Sequence, residues 1–244
     1  MTSFAEPDRN LVNSALEYDG VVSVLILVAV ILWIYMPGYL ANTFAMLWGK
    51  ILPKYGLGPW PIDGGRDAWD GNRLFGDGKT WNGLIGGSLT SGLTGVLLHW
   101  ISKGNLTDLP FIDIIAGSTD EAWFWVGDEW GAAFVIGTSL GFACLLGDLT
   151  GSFIKRRRGL KREGDLSSKA PLLDTLPFAI FLMLFGATFL SGYFTLWPST
   201  AFAYAPHGDL ELLTVGFFLL LVVPFLHRGI NIIGYKLGWK DVPY

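Results

Sequence analysis

The sequence is poor in the residues on which much enzyme chemistry rests. One cysteine and three histidines occur in 244 residues. Cys144, alone in an apolar run, excludes an intrachain disulfide and a cysteine-based metal site, and it reads as a small buried side chain. His99, His207 and His227 are scattered over different loops or helix ends, which excludes a His-based triad or zinc cluster and leaves each a packing role near an interface. Charge is scarce too. Only 16% of residues are charged and 51% are hydrophobic, against about a quarter charged in ordinary soluble domains, so a soluble globular chain is excluded. The apolar runs carry charges at their ends only, which argues against a transporter or channel, whose ionisable groups lie within the spans. No cleavage-site pattern follows the polar, acidic N-terminus, so the first apolar run reads as a retained helix and not a signal peptide.

What the chain has is apolar length. Crossing a hydrocarbon core takes about 20 residues, and runs of roughly that size extend over Gly20–Leu40, Trp81–Trp100, Ala122–Leu146, Leu173–Leu196 and Leu210–Leu226. Tryptophans, Trp33, Trp81, Trp100, Trp123 and Trp197 among them, sit at their edges, where amphipathic rings favour the headgroup layer. The reading is an all-α membrane protein of five spans, with a polar extension over 1–19 and one membrane domain over 20–244. Five spans place Met36–Thr80, Gly147–Pro171 and the C-terminal tail on one side, with 5, 7 and 3 basic residues; only Arg9 and Lys103 fall on the other. That bias puts the N-terminus outside. The acidic residues of the outer side, including Asp108, Asp113, Asp128 and Glu129, read as solvated charges.

The segment LFGDGKTWNG, Leu74–Gly83, imitates a phosphate-binding loop. A Walker A motif requires a glycine five residues before Gly78, and Arg73 stands there; such a loop also follows a buried strand, whereas here a Gly-rich apolar run comes next. The P-loop reading fails. Gly83, Gly87, Ser91 and Gly95 then recur every four residues, a small-residue face that lets helices pack closely in lipid.

Asp148 directly follows the apolar run ending at Leu146, which places it near the C-terminus of the third span. There the helix dipole disfavours an anion, and a bound cation would reverse the sign. Asp174 opens the fourth span, and the loop between can bring the two carboxylates together, as Mg²⁺ shared with phosphate oxygens requires. Read alone, Asp174 serves equally as a helix cap, with Thr175, Leu176 and Pro177 as its first turn. The run Lys155–Arg158 read alone favours a topological role beside anionic headgroups. Ser152, Lys155 and Arg156 nevertheless lie within two turns of Asp148, in reach of a phosphate held there.

The ordered segments PGYLAN, PIDGG, DGNRLFGDGKTWNG, GDLTGSFIKRRRGLKREG, APLLDTLPF and NIIGYKLGWKDVPY together resemble the CDP-archaeol synthase family, within the CDP-diacylglycerol synthase superfamily. The resemblance runs from the first span to the C-terminal tail. It implies five spans around a polar cavity facing the cytoplasm of the cell membrane, and a reaction in which CTP and an isoprenoid glyceryl ether-lipid phosphate give CDP-archaeol and pyrophosphate. It implies Asp148, Asp174 and Lys155 as catalytic residues, with Asp148 and Asp174 holding Mg²⁺. Nucleotide binding falls to Asn42, Asp77, Gly78, Lys79, Thr80, Ser152, Lys155 and Arg156; Asp63 also matches a family position. The second substrate could instead be a phosphatidate. The rival class is a scaffold that binds anionic lipid through KRRR, which leaves Asp148, Asp174 and GDGKT without a role.

Overall fold

The computed structural model describes residues 20–105, 108–115, 118–160, 171–186, 225, 229 and 232–238, apart from the side chains of 23, 24, 27, 171, 172 and 174. The expected fifth span apart from Phe225, the fourth beyond residue 186 and the N-terminal extension lie outside the described residues. The described residues are mostly helical and include no extended strand: α1 (Gly20–Ile34), α2 (Met36–Ile51), a 3₁₀ turn (Leu52–Tyr55), α3 (Trp81–Ser102), α4 (Glu129–Arg157) and α5 (Pro171–Phe185). Among them α3 and α4 are long and apolar enough to cross a membrane. The bent pair Val28–Ile34 and Met36–Tyr55, at 53°, makes a third if taken as one span.

The bend has a local cause. Pro37 cannot donate the backbone hydrogen bond that a continuous helix would need, but its fixed φ suits the first turn of a new one. Tyr35 takes up the break with φ −91° and ψ 5°. The expectation that Met36–Thr80 is wholly a connection is thereby corrected, because its first 16 residues are the helix α2. That helix belongs to the bundle through small residues. A methyl group added at Gly83 or Gly87 of α3 would stand 3.0 Å from the carbonyl oxygens of Ala45 and Ala41 of α2.

The small-residue face of α3 serves two partners. Its first half meets α2; its second half meets α4, where a methyl group at Gly95 would stand 2.4 Å from the Ala133 carbonyl oxygen, and one at Gly137 of α4 would stand 2.5 Å from that of Ser91. Behind these contacts Ile31, Ile34, Tyr35, Ile136, Leu140 and Leu182 form a buried core.

The third span is displaced from its expected bounds. Asp128 caps α4, accepting from the N–H groups of Trp130 (3.1 Å) and Gly131 (3.0 Å). The helix then continues past Leu146 to Arg157, with three basic side chains in the last turn, where they complement the dipole. At 29 residues it is about 43 Å long and outruns a hydrocarbon core of about 30 Å. The fourth span also begins earlier than expected, at Pro171, so Pro177 lies inside α5 and not in its first turn. Proline there leaves the Leu173 carbonyl without its helical partner; a methyl group at Gly151 of α4 would stand 2.6 Å from that oxygen.

At the Trp100 end of the bundle, two carboxylates expected to be solvated have structural work. Asp113 is buried against His99, with Nδ1 and Oδ1 2.8 Å apart, and it accepts from the N–H groups of Gly104 (3.0 Å) and Ile115 (3.2 Å). Asp128 is the cap described above.

Because backbone faces backbone at Gly95 and Gly137, neither side can yield to added volume. Gly95→Ala and Gly137→Ala are each expected to lower thermal stability in detergent by about 1–3 kcal/mol, the usual cost of overpacking. Leu97→Ala, on an exposed face, is the control, and an equal loss in all three variants would contradict the packing account.

Candidate active site

The chain between α2 and α3 folds back on itself. Ile62 N–H donates to the Lys79 carbonyl (2.8 Å) and Trp81 N–H to that of Trp60 (2.9 Å), so the ends of the loop meet. Its interior is organised by one carboxylate. Asp63 is buried and accepts from the backbone N–H groups of Gly65 (3.0 Å), Phe75 (3.1 Å) and Gly76 (2.9 Å) and from Arg73 Nη2 at 2.6 Å. Burial alone would raise its pKa, but the Arg73 guanidinium and the amides of Gly76, Phe75 and Gly65 outweigh it and hold the carboxyl well below the usual range. Arg73 also pairs with Asp77 at 2.8 Å. Sequence reading left Asp63 and Arg73 without a role, although an Asp followed by two glycines is a turn signal.

The GDGK turn follows. Lys79 N–H closes it onto the Gly76 carbonyl at 3.1 Å. Gly76 has φ +96°, which only glycine adopts readily, and a side chain there would also stand 3.3 Å from Arg156 Nε. The turn delivers Lys79 to Asp148, with which it forms a half-buried ion pair. Asp148 lies nine residues before the end of α4, so the expected clash with the helix terminus does not arise, because a macrodipole acts within the last turn. Lys79 is what meets its charge.

Asp148, Ser152, Lys155 and Arg156 recur at positions i, i+4, i+7 and i+8 and therefore share one face of α4. Arg156 donates to the Phe75 carbonyl (3.4 Å) and to that of Leu160 (2.7 Å). The loop thus brings Asp77, Gly78 and Lys79 to the face that carries Asp148, Ser152, Lys155 and Arg156. Thr80 is placed differently, since its hydroxyl caps α3 by accepting from Gly83 N–H at 3.1 Å. Asn42 stands on α2 one turn beyond Gly38, which faces the Leu140 carbonyl and Leu182. Asp174 lies in α5 beside Leu173 and Thr175, a segment close to Gly147 and Gly151; its side chain is outside the described residues. Its position after three helical residues excludes the cap reading.

Arg157 is the residue sequence reading missed most fully. It donates through Nη1 to Asp70 (2.6 Å) and through Nη2 to the carbonyls of Asn72 (3.0 Å) and Arg73 (2.6 Å). Nothing in KRRR singles it out from its neighbours.

Residues 23–244 match the family model described as "CarS-like: CDP-archaeol synthase". The chain belongs to this family. It is 37% identical over 212 residues to the CDP-archaeol synthase of Thermococcus onnurineus, covering 87% of this chain and 94% of that one. With the CDP-archaeol synthase of Picrophilus torridus it shares 34% identity over 223 residues, 90% and 98% of the respective chains. The fold is also similar to the solved structure of an intramembrane enzyme for archaeal membrane lipids biosynthesis, with a TM-score of 0.52, 25% identity and coverage of 82% of this chain and 92% of that one. Membership of the CarS-like family and the apolar helices agree that this is a membrane protein.

The lowered pKa of Asp63 has a sign. A free Asp carboxyl titrates near about 4, so the stability this group contributes is complete above that pH and is lost progressively as pH falls below it. Proteolysis within residues 60–80 is expected to rise below about pH 4 in the wild type, whereas Asp63→Asn should be cut readily at pH 7 as well. A protease-resistant Asp63→Asn loop would remove Asp63 from its organising place.

Proposed function

We propose that this chain transfers a cytidylyl group from CTP to an isoprenoid glyceryl ether-lipid phosphate in the membrane, forming CDP-archaeol and pyrophosphate. The observation that carries the site assignment is the Lys79–Asp148 pair, which joins the GDGK turn to the α4 face bearing Ser152, Lys155 and Arg156. Family membership supports the activity; the pair supports the proposed location.

The lipid phosphate needs no general base. Its second pKa is about 6, so near neutral pH it is largely a dianion, in keeping with a site that has no histidine among the described residues. One of its oxygens attacks the α-phosphorus of CTP, the new P–O bond forms, and the bond from that phosphorus to the β-bridging oxygen breaks with loss of pyrophosphate. What remains for the protein is alignment and charge neutralisation. Lys79, Lys155 and Arg156 contact phosphate oxygens, and Ser152 donates a hydrogen bond to one. Asp77 and Gly78 line the nucleotide side, Thr80 holds the turn through its cap, and Asn42 borders the site from α2.

Among the described residues no group of three or more His, Cys, Asp or Glu side chains gathers to hold a metal. Mg²⁺ does not require one, because it is commonly held by one or two carboxylates with phosphate oxygens and water. Asp148, already matched to a cation in Lys79, fits that demand, with Asp174 as the second carboxylate. When bound, the ion neutralises charge on the triphosphate.

The basic loop residues favour the cytoplasmic side for this site, with five spans, an outer N-terminus and a polar cavity open to CTP from the cytoplasm of the cell and to the lipid from the bilayer. Purified protein with CTP and Mg²⁺ should form CDP-lipid from digeranylgeranylglyceryl phosphate, and Asp148→Asn should lower kcat by at least about 100-fold. Product from phosphatidate instead would reassign the acceptor. No product from either lipid would overturn the enzyme reading in favour of an anionic-lipid scaffold.

A further inference from the structure

Arg157 stands one residue beyond the face that carries Asp148, Ser152, Lys155 and Arg156, and it makes a different kind of contact. Its guanidinium uses both terminal nitrogens, one on the Asp70 carboxylate at 2.6 Å and the other on the carbonyls of Asn72 (3.0 Å) and Arg73 (2.6 Å). Its central carbon lies 5.2 Å from the Trp69 ring and 5.1 Å from the Phe153 ring. The side chain is only 15% exposed, unlike a cation held out toward lipid headgroups. A planar fork set against two neighbouring rings, with two carbonyl acceptors, suits arginine and not lysine.

The grip reaches the site through a short path. Arg157 fixes the backbone of Arg73, whose own guanidinium holds Asp63 at 2.6 Å and Asp77 at 2.8 Å. Asp77 is the second residue of the turn that carries Lys79 to Asp148. The loop is therefore fastened to α4 at Asp148, Arg156 and Arg157, the outermost two nine residues apart, or about 13 Å along the helix. We infer that Arg157 is a positioning residue for the nucleotide: by clamping Asp70, Asn72 and Arg73 it sets where Asp77 and Lys79 stand against Asp148. This rests on the placement of the CTP site proposed above.

A merely topological or lipid-attracting arginine would be replaced by lysine without loss, since the charge is kept. A clamp would not. In the purified full-length protein, Arg157→Lys is expected to raise the KM for CTP about tenfold while leaving that for the lipid phosphate within about twofold, because displacement of the loop weakens one substrate only. Amide hydrogen exchange at Gly65, Phe75 and Gly76 should quicken in the same variant. Asp70→Asn, which weakens a single contact, should shift both quantities in the same direction by less, and it carries the test if the arginine variant fails to accumulate. Wild-type exchange together with a wild-type KM for CTP would overturn the inference and leave the roles of Lys79 and Asp148 intact. Faster exchange with an unchanged KM for CTP would show that the loop is held by Arg157 but does not bind the nucleotide, which overturns the site placement on which the inference rests.

Discussion

A half-buried carboxylate in the interior of a long helix must find a cation, and the arrangement of this protein's polar end follows from how Asp148 finds one. Leaving such a charge unpaired would cost several kcal/mol. The chain supplies Lys79, 69 residues earlier in sequence, and to bring it there a loop must fold over α4. A site that binds a triphosphate with a metal can exploit the same pair, because Lys79 and Asp148 then exchange one another for phosphate and cation. On the proposed reading, the counter-ion of the resting site would become a ligand of the working one.

Such an exchange is useful only if the loop keeps its shape when the pair opens. Asp63 provides that independence, since three backbone amides and Arg73 converge on it and none of these contacts involves Lys79. Charge-assisted hydrogen bonds to a buried carboxylate are among the stronger ones available. The loop is thus preorganised from within, fastened to α4 by Arg157, and seated on a bundle whose helices approach closely enough through Gly83, Gly87, Gly95 and Gly137 to hold both ends of the site in register.

Much of this was legible in sequence, and the failures have physical reasons. Hydropathy located α3 almost to the residue, because its apolar run coincides with the helix from the Thr80 cap onward. It misplaced α4, since hydropathy reports membrane compatibility, whereas the helix is delimited by the Asp128 cap and continues as a polar helix through KRRR. It hid α2 as well, because Pro37 and Gly38 look like breakers when Pro37 in fact suits a helix start. The residues of the proposed site could be gathered by motif, but the Lys79–Asp148 contact, the Asp63 hub and the Arg157 clamp join positions far apart in sequence, and no local pattern encodes such partners.

The most direct test of the central claim is an experimental structure of the protein with CTP and Mg²⁺ bound. The account predicts that the Lys79–Asp148 pair opens, with Lys79 and Arg156 within hydrogen-bond reach of the triphosphate and the metal on Asp148. A nucleotide bound elsewhere, with Lys79 still paired to Asp148, would contradict it.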